Sequence, residues 1–381
     1  MDTAEYRMRL ERRTQPSALA LLLAPLGAIV FTMLTSSLLV IWAGAPIGRT
    51  WSLLVQGGFG SMFALSESLT RAIPLILTGL AAAVAFRARL FNIGAEGQFY
   101  VGALAAVAVG GMHGGVGFSL PPWLLFALMM LAAATAGALL LLGPALMKAR
   151  LGVDEVVTTL LLNFIVLLLV SAMLDGPMKD PLAMGWPQSV ALQPDLELAK
   201  LIERTRVHTG LLWAVGLALA LWALLQRTVI GFDIRAVGAN AQAAAFAGVP
   251  VTRTVILVAV MSGALAGLAG AIEVAGRASY VTLDMSPGFG YSGIVIAMLA
   301  GLHPLAVLLA SLFVAGVQVG ADSMSRAVGV PTYIADVIVA TSLLAMLVAT
   351  LLAQYRLVWP ARLGPPSRPP TESAQDAVRT P

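Results

Sequence analysis

The sequence has no cysteine among its 381 residues, and it has only three histidines. The absence of cysteine excludes disulfides, thiolate metal sites and a cysteine nucleophile. His113, His208 and His303 are far apart and lack the spacing of metal ligands, so we predict that each lies in a loop or at a helix end. We therefore predict no metal site and no cofactor.

Charged residues are also scarce, at 11% of the chain against about 25% in soluble domains. Hydrophobic residues reach 59%, and the mean hydropathy is +0.89. A soluble protein of this composition would expose more apolar surface than it could keep dispersed. The composition therefore excludes a soluble globular enzyme, a nucleic-acid binder and a disordered tail protein, and it indicates an integral membrane protein.

Catalytic motifs are absent from the sequence as well. No GxxxxGK[ST] phosphate-binding loop occurs, so the chain cannot itself bind and hydrolyse ATP. No Ser/His pair, paired aspartates or HExxH motif supports an intramembrane enzyme. We predict that the chain is not an enzyme and that any driving energy comes from elsewhere.

Apolar runs that meet or approach the length needed to cross a bilayer core of about 30 Å dominate the chain. They occur near residues 17–42, 68–86, 99–117, 123–146, 156–174, 209–226, 251–272, 289–301, 304–320 and 332–353. We therefore predict an all-α, polytopic helical membrane protein with about 10 transmembrane helices. The first run lacks a cleavage site of small residues, so we expect it to remain as the first span.

The distribution of positive charge predicts the orientation of these spans. With ten spans both termini lie on one side, and placing them in the cytoplasm also places most of the 23 lysines and arginines there. We predict a cytoplasmic segment 1–16, a transmembrane domain 17–353 and a cytoplasmic tail 354–381. The tail is rich in proline and polar residues, which favours disorder.

The longest polar loop spans residues 175–208 and is predicted to be external. Its stretch ELAKLIERT (197–205) combines helix-forming residues with mixed charges. This pattern predicts a short surface helix.

Residues 227–250 form a predicted cytoplasmic loop that contains another local helix signal. Asn240 can cap a helix through Ala241–Ala247, and Gly248 can end it. The surface of this helix is nearly all alanine plus Phe246, so the helix solvates itself poorly and lets another protein approach closely. It is either an ordinary loop helix on the membrane surface or a docking surface for a cytoplasmic partner.

Several motifs carry a resemblance to a known family. The run Gln242-Ala243-Ala244, followed four residues later by Gly248, resembles the EAA loop of ABC importer permeases, which fits a groove on the ATPase subunit; Gln242 replaces the acidic residue that names the loop. The surrounding GFDIRAVGANAQAAAFAGV (231–249) is similar to the loop of the ribose/nucleoside branch of these permeases. FNIGAEGQ (91–98) resembles the nucleoside permeases served by basic-membrane-protein-type binding lipoproteins, whereas ribose-type relatives have a different string there. DEVVTTLLLNFI (154–165) and RVHTG (206–210) are similar to the same group.

The resemblance runs from about residue 15 to 360, and it implies the permease subunit of an ABC importer in the bacterial cytoplasmic (inner) membrane. The implied cargo is nucleosides, purine or broad-range. The implied partners are a separate ATPase, an extracytoplasmic binding lipoprotein, and a second permease in a heterodimer rather than a homodimer. The coupling-loop residues carried over by the resemblance are Gly231, Arg235, Gly238, Asn240, Gln242, Ala244 and Gly248.

The FNIGAEGQ segment places Asn92, Glu96 and Gln98 between two apolar helices. A charge at the bilayer centre costs roughly 2.5–3.5 kcal/mol on insertion scales, so we expect these groups at an interface or along a cavity. At the cytoplasmic end, the segment would be a hinge in which Glu96 pairs with Arg87 or Arg89. If the segment re-enters the membrane, its side chains would face the translocation path. We favour the structural or gating role.

Asn163 lies inside the fifth predicted span. It either makes an interhelical hydrogen bond, worth about 0.6 kcal/mol on average in membranes, or contacts the solute, because a nucleoside base needs amide partners. Gly263 and Gly267 have the small-xxx-small spacing that favours close helix packing. Pro287 and three glycines precede or open the short run at 289–301, as expected of a discontinuous helix.

Two alternatives stay open at this point. A permease for ribose or another simple sugar would share the coupling loop. An ion-coupled secondary transporter would need intramembrane acids arranged as a relay, and the sequence offers only Glu96, Glu273 and Asp336, scattered on separate helices.

Overall fold

The computed structural model describes residues 9–12, 18–112, 120–329 and 332–358. These residues form an almost entirely helical bundle, which confirms the predicted all-α class. The helices are α1 (Ala18–Trp42), α2 (Ile47–Phe59), α3 (Met62–Arg87), α4 (Ala95–Gly110), α5 (Pro122–Leu151), α6 (Glu155–Asp175), α7 (Gly210–Arg227), α8 (Val229–Ala239), α9 (Ala241–Phe246), α10 (Val251–Glu273), α11 (Phe289–Leu299), α12 (Pro304–Val328) and α13 (Thr332–Gln354). Two short strands, β1 (Arg9–Arg12) and β2 (Tyr355–Val358), pair antiparallel.

Within the described ranges, six helices are long and apolar enough to cross a membrane: α3, α5, α6, α7, α10 with its extension to Ala278, and α12. Helices α1 and α2 add a seventh candidate if Leu26–Trp42 and Ile47–Phe59 form one span bent by 118°. Helices α4 and α11 have only 16 and 11 residues. At 1.5 Å per residue they extend about 24 and 16 Å, less than a bilayer core. The count of ten complete spans therefore stays a prediction.

Helix α2 was not predicted from hydropathy, because Arg49, Thr50 and Gln56 interrupt its apolar pattern. It packs closely against α12 through glycine. A Cβ atom added at Gly58 would lie 2.3 Å from the carbonyl oxygen of Gly316, so the two backbones are in direct contact. This contact makes α2 part of the bundle and not a surface connection.

Helix α3 is buried along most of its length, and its two ends define the two sides of the bundle. Its C-terminus at Arg87 lies beside α8 and beside the turn before α12. Its N-terminal half lies beside the loop 176–209 and the last part of α12. We call these two sides the Arg87 end and the Met62 end of the bundle.

Small residues let α10 approach α4 and α5 at backbone contact. A Cβ atom added at Gly102 would lie 2.2 Å from the carbonyl oxygen of Gly267, and one added at Gly137 would lie 2.2 Å from that of Gly263. Any side chain larger than hydrogen would therefore separate the helices. This confirms the close packing predicted for Gly263 and Gly267.

The prediction of a surface helix at residues 197–205 is wrong. The backbone there pairs with other segments: Leu198 N–H donates to the Ala275 carbonyl (2.8 Å), and Leu201 N–H donates to the Val207 carbonyl (2.8 Å). Because these N–H groups bond to other segments, the stretch folds as an irregular loop against the end of α10. Tertiary hydrogen bonds have overridden local helix propensity.

His208 lies in this loop, as predicted, but its side chain is buried. Its Nδ1 accepts a hydrogen bond from Gly210 N–H (3.2 Å). Burial, with the nearby charge of Arg277 as a smaller cause, lowers the pKa of His208 to about 4. His303 precedes the first residue of α12, also as predicted, and His113 lies outside the described residues.

The predicted segments 1–16 and 354–381 are described only at Arg9–Arg12 and at the first residues of the tail, where Tyr355–Val358 form a strand. The remaining residues of the tail and of the N-terminal segment lie outside the described ranges. The pairing of β1 with β2 brings the two stretches side by side.

Candidate coupling and gating elements

The FNIGAEGQ segment connects α3 to α4 and enters the bundle. Arg89, just before it, has a left-handed backbone with φ 55°, which turns the chain after α3. Asn92, Glu96 and Gln98 are buried, with exposures of 0%, 4% and 1%. The segment therefore packs between helices instead of lying on the surface.

Asn92 and Gln98 bind each other through two side-chain hydrogen bonds. Each amide donates to the other's carbonyl oxygen at 2.9 Å. The Asn92 amide also donates to Ser262 Oγ on α10 (3.0 Å), and Ser262 Oγ donates to the Ala81 carbonyl on α3 (2.8 Å). This network joins α3, α4 and α10, about two helical turns from Arg87.

Asn163 on α6 fixes the same segment from the other side. Its Oδ1 accepts a hydrogen bond from Gly97 N–H (2.8 Å). Its Nδ2 donates hydrogen bonds to the Ile93 carbonyl (2.9 Å) and to the Tyr291 hydroxyl (3.1 Å). Both polar atoms of the amide are therefore used within the bundle. This geometry corresponds to the interhelical interpretation of Asn163.

Glu96 holds the first turn of α11. Its Oε2 accepts from Gly290 N–H at 2.6 Å. A carboxylate is well placed there, because the first N–H groups of a helix have no partner within the helix. Thr78 on α3 donates to the Phe289 carbonyl (2.9 Å). The start of α11 is thus held between α3 and α4.

The predicted pairing of Glu96 with Arg87 or Arg89 is wrong. The chain turns inward after Arg89 and carries Glu96 away from both arginines. Arg87 instead donates to the Leu302 carbonyl (3.0 Å).

The carboxylate at the Arg87 end is that of Glu155, which pairs with Lys148 and accepts from Phe91 N–H (3.0 Å). Lys148 also donates to the Arg89 carbonyl (2.5 Å). Glu155 and Lys148 thus fix both sides of the turn that leads into the FNIGAEGQ segment. Neither residue was predicted to have a role, although Glu155 lies in the DEVVTT motif.

The coupling loop, residues 227–250, contains α8 and α9. The Asn240 side chain accepts from the N–H groups of Gln242 (3.0 Å) and Ala243 (3.1 Å), which confirms the predicted N-cap. Helix α9 ends at Phe246, and Gly248 has φ +87°, a conformation that favours glycine. The predicted short helix is confirmed, one residue shorter than expected.

One face of this loop binds the bundle. A Cβ atom added at Gly238 would lie 1.8 Å from the Arg87 carbonyl oxygen, and one at Gly231 would lie 2.3 Å from that of Leu224. Ala244 is buried, and Arg235 has one buried guanidinium nitrogen. Gly231, Gly238 and Ala244 therefore hold α8 and α9 against the bundle, and Arg235 is partly buried beside them.

The other face of the loop is open. The Phe246 side chain is 98% exposed, Gln242 is exposed, and a Cβ atom added at Gly248 would meet nothing within 4 Å. This face of α9, with Phe246 among alanines, is therefore accessible to another molecule.

The predicted residues thus form two groups. Asn92, Glu96, Gln98 and Asn163 form one buried cluster, and the coupling-loop residues form another at the Arg87 end. The hydroxyls of Ser262 and Tyr291 complete the buried cluster. Neither residue was predicted, because a single hydroxyl residue on an apolar helix has no distinct sequence signal.

A family model described as branched-chain amino acid transport system / permease component matches residues 64–351. The chain is 34% identical over 326 residues to the guanosine ABC transporter permease protein NupP of Bacillus subtilis, covering 85% of this chain and 92% of that protein. It is 36% identical over 356 residues to a glucose ABC transporter permease protein of Haloferax volcanii (91% and 92%). It is 32% identical over 329 residues to the nucleoside ABC transporter permease protein NupB of Lactococcus lactis (84% and 88%).

The family match includes the whole buried cluster and the whole coupling loop. The helices long enough to span a membrane fall within it as well, apart from the first two residues of α3. The chain belongs to the family of branched-chain amino acid transport system permease components.

Proposed function

We propose that the chain is the permease subunit of an ABC importer and forms the path by which nucleosides, purine or broad-range, enter the cytoplasm. A separate ATPase subunit supplies the energy. The observation that carries this proposal is the coupling loop, which is anchored by glycine to the end of α3 and presents Phe246 outward. Two of the relatives are named as guanosine and nucleoside permeases, and the FNIGAEGQ resemblance supports the same cargo.

The Arg87 end faces the cytoplasm in this proposal. It carries Arg87, Arg89 and Lys148, and the coupling loop adds Arg227 and Arg235. Together with the lysines and arginines of the two terminal segments, these residues give the excess of positive charge expected of the cytoplasmic side. The protein is then a multi-pass protein of the bacterial inner membrane, with both termini in the cytoplasm.

Force from the ATPase reaches the bundle through consecutive contacts. Movement of α8 bears directly on the Arg87 carbonyl, because Gly238 leaves no space between them. The turn after α3 leads into the FNIGAEGQ segment, where Glu96 binds the start of α11. We assign Asn92, Glu96, Gln98 and Asn163 to this gating joint, and not to direct contact with the solute.

The remaining partners follow from the resemblance to nucleoside permeases. A second permease completes the assembly as a heterodimer, and an extracytoplasmic binding lipoprotein delivers the solute to the Met62 end. The loop 176–209 and the end of α12 form the surface available to that lipoprotein in this orientation.

The sugar alternative is supported by one relative, the glucose permease, which is 36% identical to this chain. The ion-coupled alternative lacks such support. Glu273 pairs with Arg277 at the Met62 end, whereas Glu96 binds the first turn of α11, so the described contacts do not join these two acids in a relay. The side chain of Asp336 lies outside the described part of the chain.

Copurification with the ATPase tests the proposal. The variant Phe246→Asp places a charge on the exposed face of α9 without disturbing a described contact, and Leu182→Asp is a control at a 78% exposed position in the opposite loop. We expect Phe246→Asp to reduce the amount of copurifying ATPase by at least about tenfold, because exposed aromatics are frequent hot spots. Equal copurification of both variants with the wild type would contradict docking at this loop.

A further inference from the structure

Two cavities lie next to each other at the Met62 end of the bundle. The outer cavity has a volume of about 700 Å³ and lies between α2, α3 and the last part of α12. The inner cavity has a volume of about 310 Å³ and lies between α11, α12 and α13. Arg71 and Asp322 line both of them, so the two cavities meet at this pair.

The outer cavity is lined with charges of both signs. Its charged residues are Glu67, Arg71, Arg206, Arg277, Asp322 and Arg326. Arg71 Nη1 is 2.6 Å from Asp322 Oδ2, and Arg206 Nε is 3.6 Å from Glu67 Oε1. A charged cavity between apolar helices is costly in a membrane protein, and such positions usually lie on a solute pathway.

The inner cavity contains a polar group without a partner. Gln318 is 7% exposed, and its Oε1 accepts no hydrogen bond from any described residue. A buried carbonyl oxygen left without a hydrogen bond destabilises the folded state, so a bound solute that donates to it would offset this cost. Ser292 and Pro287 also line this cavity, and they flank the turn of α11 that Glu96 holds.

We propose that the two cavities are the outer and inner compartments of the solute-binding site, with the Arg71–Asp322 ion pair as the barrier between them and Gln318 as a polar contact for the bound solute. This inference rests on the proposed function and names the residues that bind its solute. The contact between Glu96 and α11 then connects the inner compartment to the coupling loop.

The lining residues match a neutral solute that has hydroxyl groups and an amide-like edge. Asp322 accepts hydrogen bonds from vicinal hydroxyls, as on ribose, and Arg71 donates to them. The Gln318 amide carries both a donor and an acceptor and can rotate, so it pairs with the edge of either purine. Arg71 and Asp322 are the charged residues of the inner lining and neutralise each other, so the inner cavity offers no net positive charge to a phosphorylated solute.

Single cysteines test this assignment, because the chain has none of its own. Ser292→Cys reports on the inner cavity, Ser323→Cys on the outer cavity, and Leu182→Cys on an exposed position that lines neither cavity. Each is measured in the complete assembly in nanodiscs, as the rate of modification by a charged thiol reagent, with and without guanosine or glucose. We expect guanosine to slow modification of Ser292→Cys by at least about tenfold and to leave Leu182→Cys unchanged.

The barrier is tested by neutralising both of its charges together. In the Ser292→Cys background, Arg71→Gln with Asp322→Asn should accelerate modification by at least about tenfold, because the pair no longer closes the inner cavity. Modification of Ser323→Cys should stay unchanged, since it lies on the outer side. An unchanged rate at Ser292→Cys would overturn the barrier.

Gln318→Leu separates solute binding from a structural role. Removing a buried amide whose Oε1 has no partner among the described residues should leave the unfolding temperature equal or higher. The half-saturation constant for guanosine uptake should rise by about tenfold, while copurification with the ATPase stays at the wild-type level. A lower unfolding temperature with an unchanged half-saturation constant would assign Gln318 to structure alone.

The outcomes distinguish the inference from the function on which it rests. Protection of Ser292→Cys by glucose but not by guanosine keeps the cavities as the solute site and overturns the proposed cargo. If guanosine protects neither Ser292→Cys nor Ser323→Cys in an assembly that transports guanosine, the inference alone is overturned. Protection of Ser323→Cys by the binding lipoprotein only would make the outer cavity a protein-docking surface and would also overturn it.

Discussion

Glu96 Oε2 accepts a hydrogen bond of 2.6 Å from Gly290 N–H, and this contact joins α4 to the first turn of α11. The two residues are 194 positions apart in the chain. A Cβ atom added at Gly290 would lie 2.2 Å from the Glu96 backbone nitrogen, so the backbones themselves are in contact. The junction therefore requires glycine at position 290 and a side-chain acceptor at position 96.

Glu96→Ala should abolish transport without loss of the protein from the membrane. The change removes the only side-chain acceptor that the described residues offer to Gly290 N–H, so the start of α11 is released. Glu96→Gln should retain part of the activity, because the amide oxygen still accepts the bond. Uptake and membrane content are measured together.

Glu203→Ala is the matched control, since Glu203 is an exposed acid in the loop at the Met62 end. It should transport at the wild-type rate. Normal uptake by Glu96→Ala would remove Glu96 from the gating joint.

Gly238→Ala should uncouple the ATPase from transport. Its methyl group would lie 1.8 Å from the Arg87 carbonyl oxygen and would push α8 away from α3. Gly216→Ala is a matched control, because this helical glycine has nothing within 4 Å of an added Cβ. ATPase activity of the assembly should respond to solute in Gly216→Ala and lose that response in Gly238→Ala; an intact response in both variants would contradict the transmission path.

Asn163→Leu should destabilise the bundle by about 1–3 kcal/mol for each buried group that it leaves unsatisfied. The groups are Gly97 N–H and the Ile93 carbonyl. Tyr291→Phe removes only the third contact of Asn163 and should cost less than Asn163→Leu. Unfolding temperatures in detergent measure both, and equal values for the two variants would show that the amide does not stabilise the segment.

Stability of the purified chain should fall as the pH drops from about 6.5 toward 4. Because burial lowers the pKa of His208 to about 4 in the folded state, the unfolded chain binds the proton more readily in this window. The stabilisation from neutral His208 is fully present above pH 6.5. Below that pH the free energy of unfolding falls by up to about 1.4 kcal/mol for each pH unit. His208→Gln should flatten this dependence, as followed by unfolding temperature across the window; an unchanged slope would assign the effect to other groups.

The sequence predicted the local features of the coupling loop because their causes are local. Asn240 caps α9 through its own neighbours, and Gly248 adopts the left-handed conformation that ends such a helix. The spacing of Gly263 and Gly267 likewise predicted the close packing of α10 against its neighbouring helices.

Features that depend on distant contacts were not predictable in the same way. Glu96 lies beside two arginines in sequence, yet the turn at Arg89 carries it to Gly290. The charges of Arg71 and Asp322 were visible in the sequence, but their pairing joins residues 251 positions apart. Hydropathy also failed at α2, which is a helix held by glycine contacts and not by an apolar run.

Uptake of labelled adenosine, guanosine, uridine and ribose tests the central claim most directly. Cells with and without this gene are compared, and the comparison is repeated in cells whose partner ATPase is disabled. We predict that nucleoside uptake is lost both without this gene and without the ATPase. Loss of ribose uptake alone would move the cargo to sugars, and uptake that ignores the ATPase and follows the proton or sodium gradient would contradict the importer.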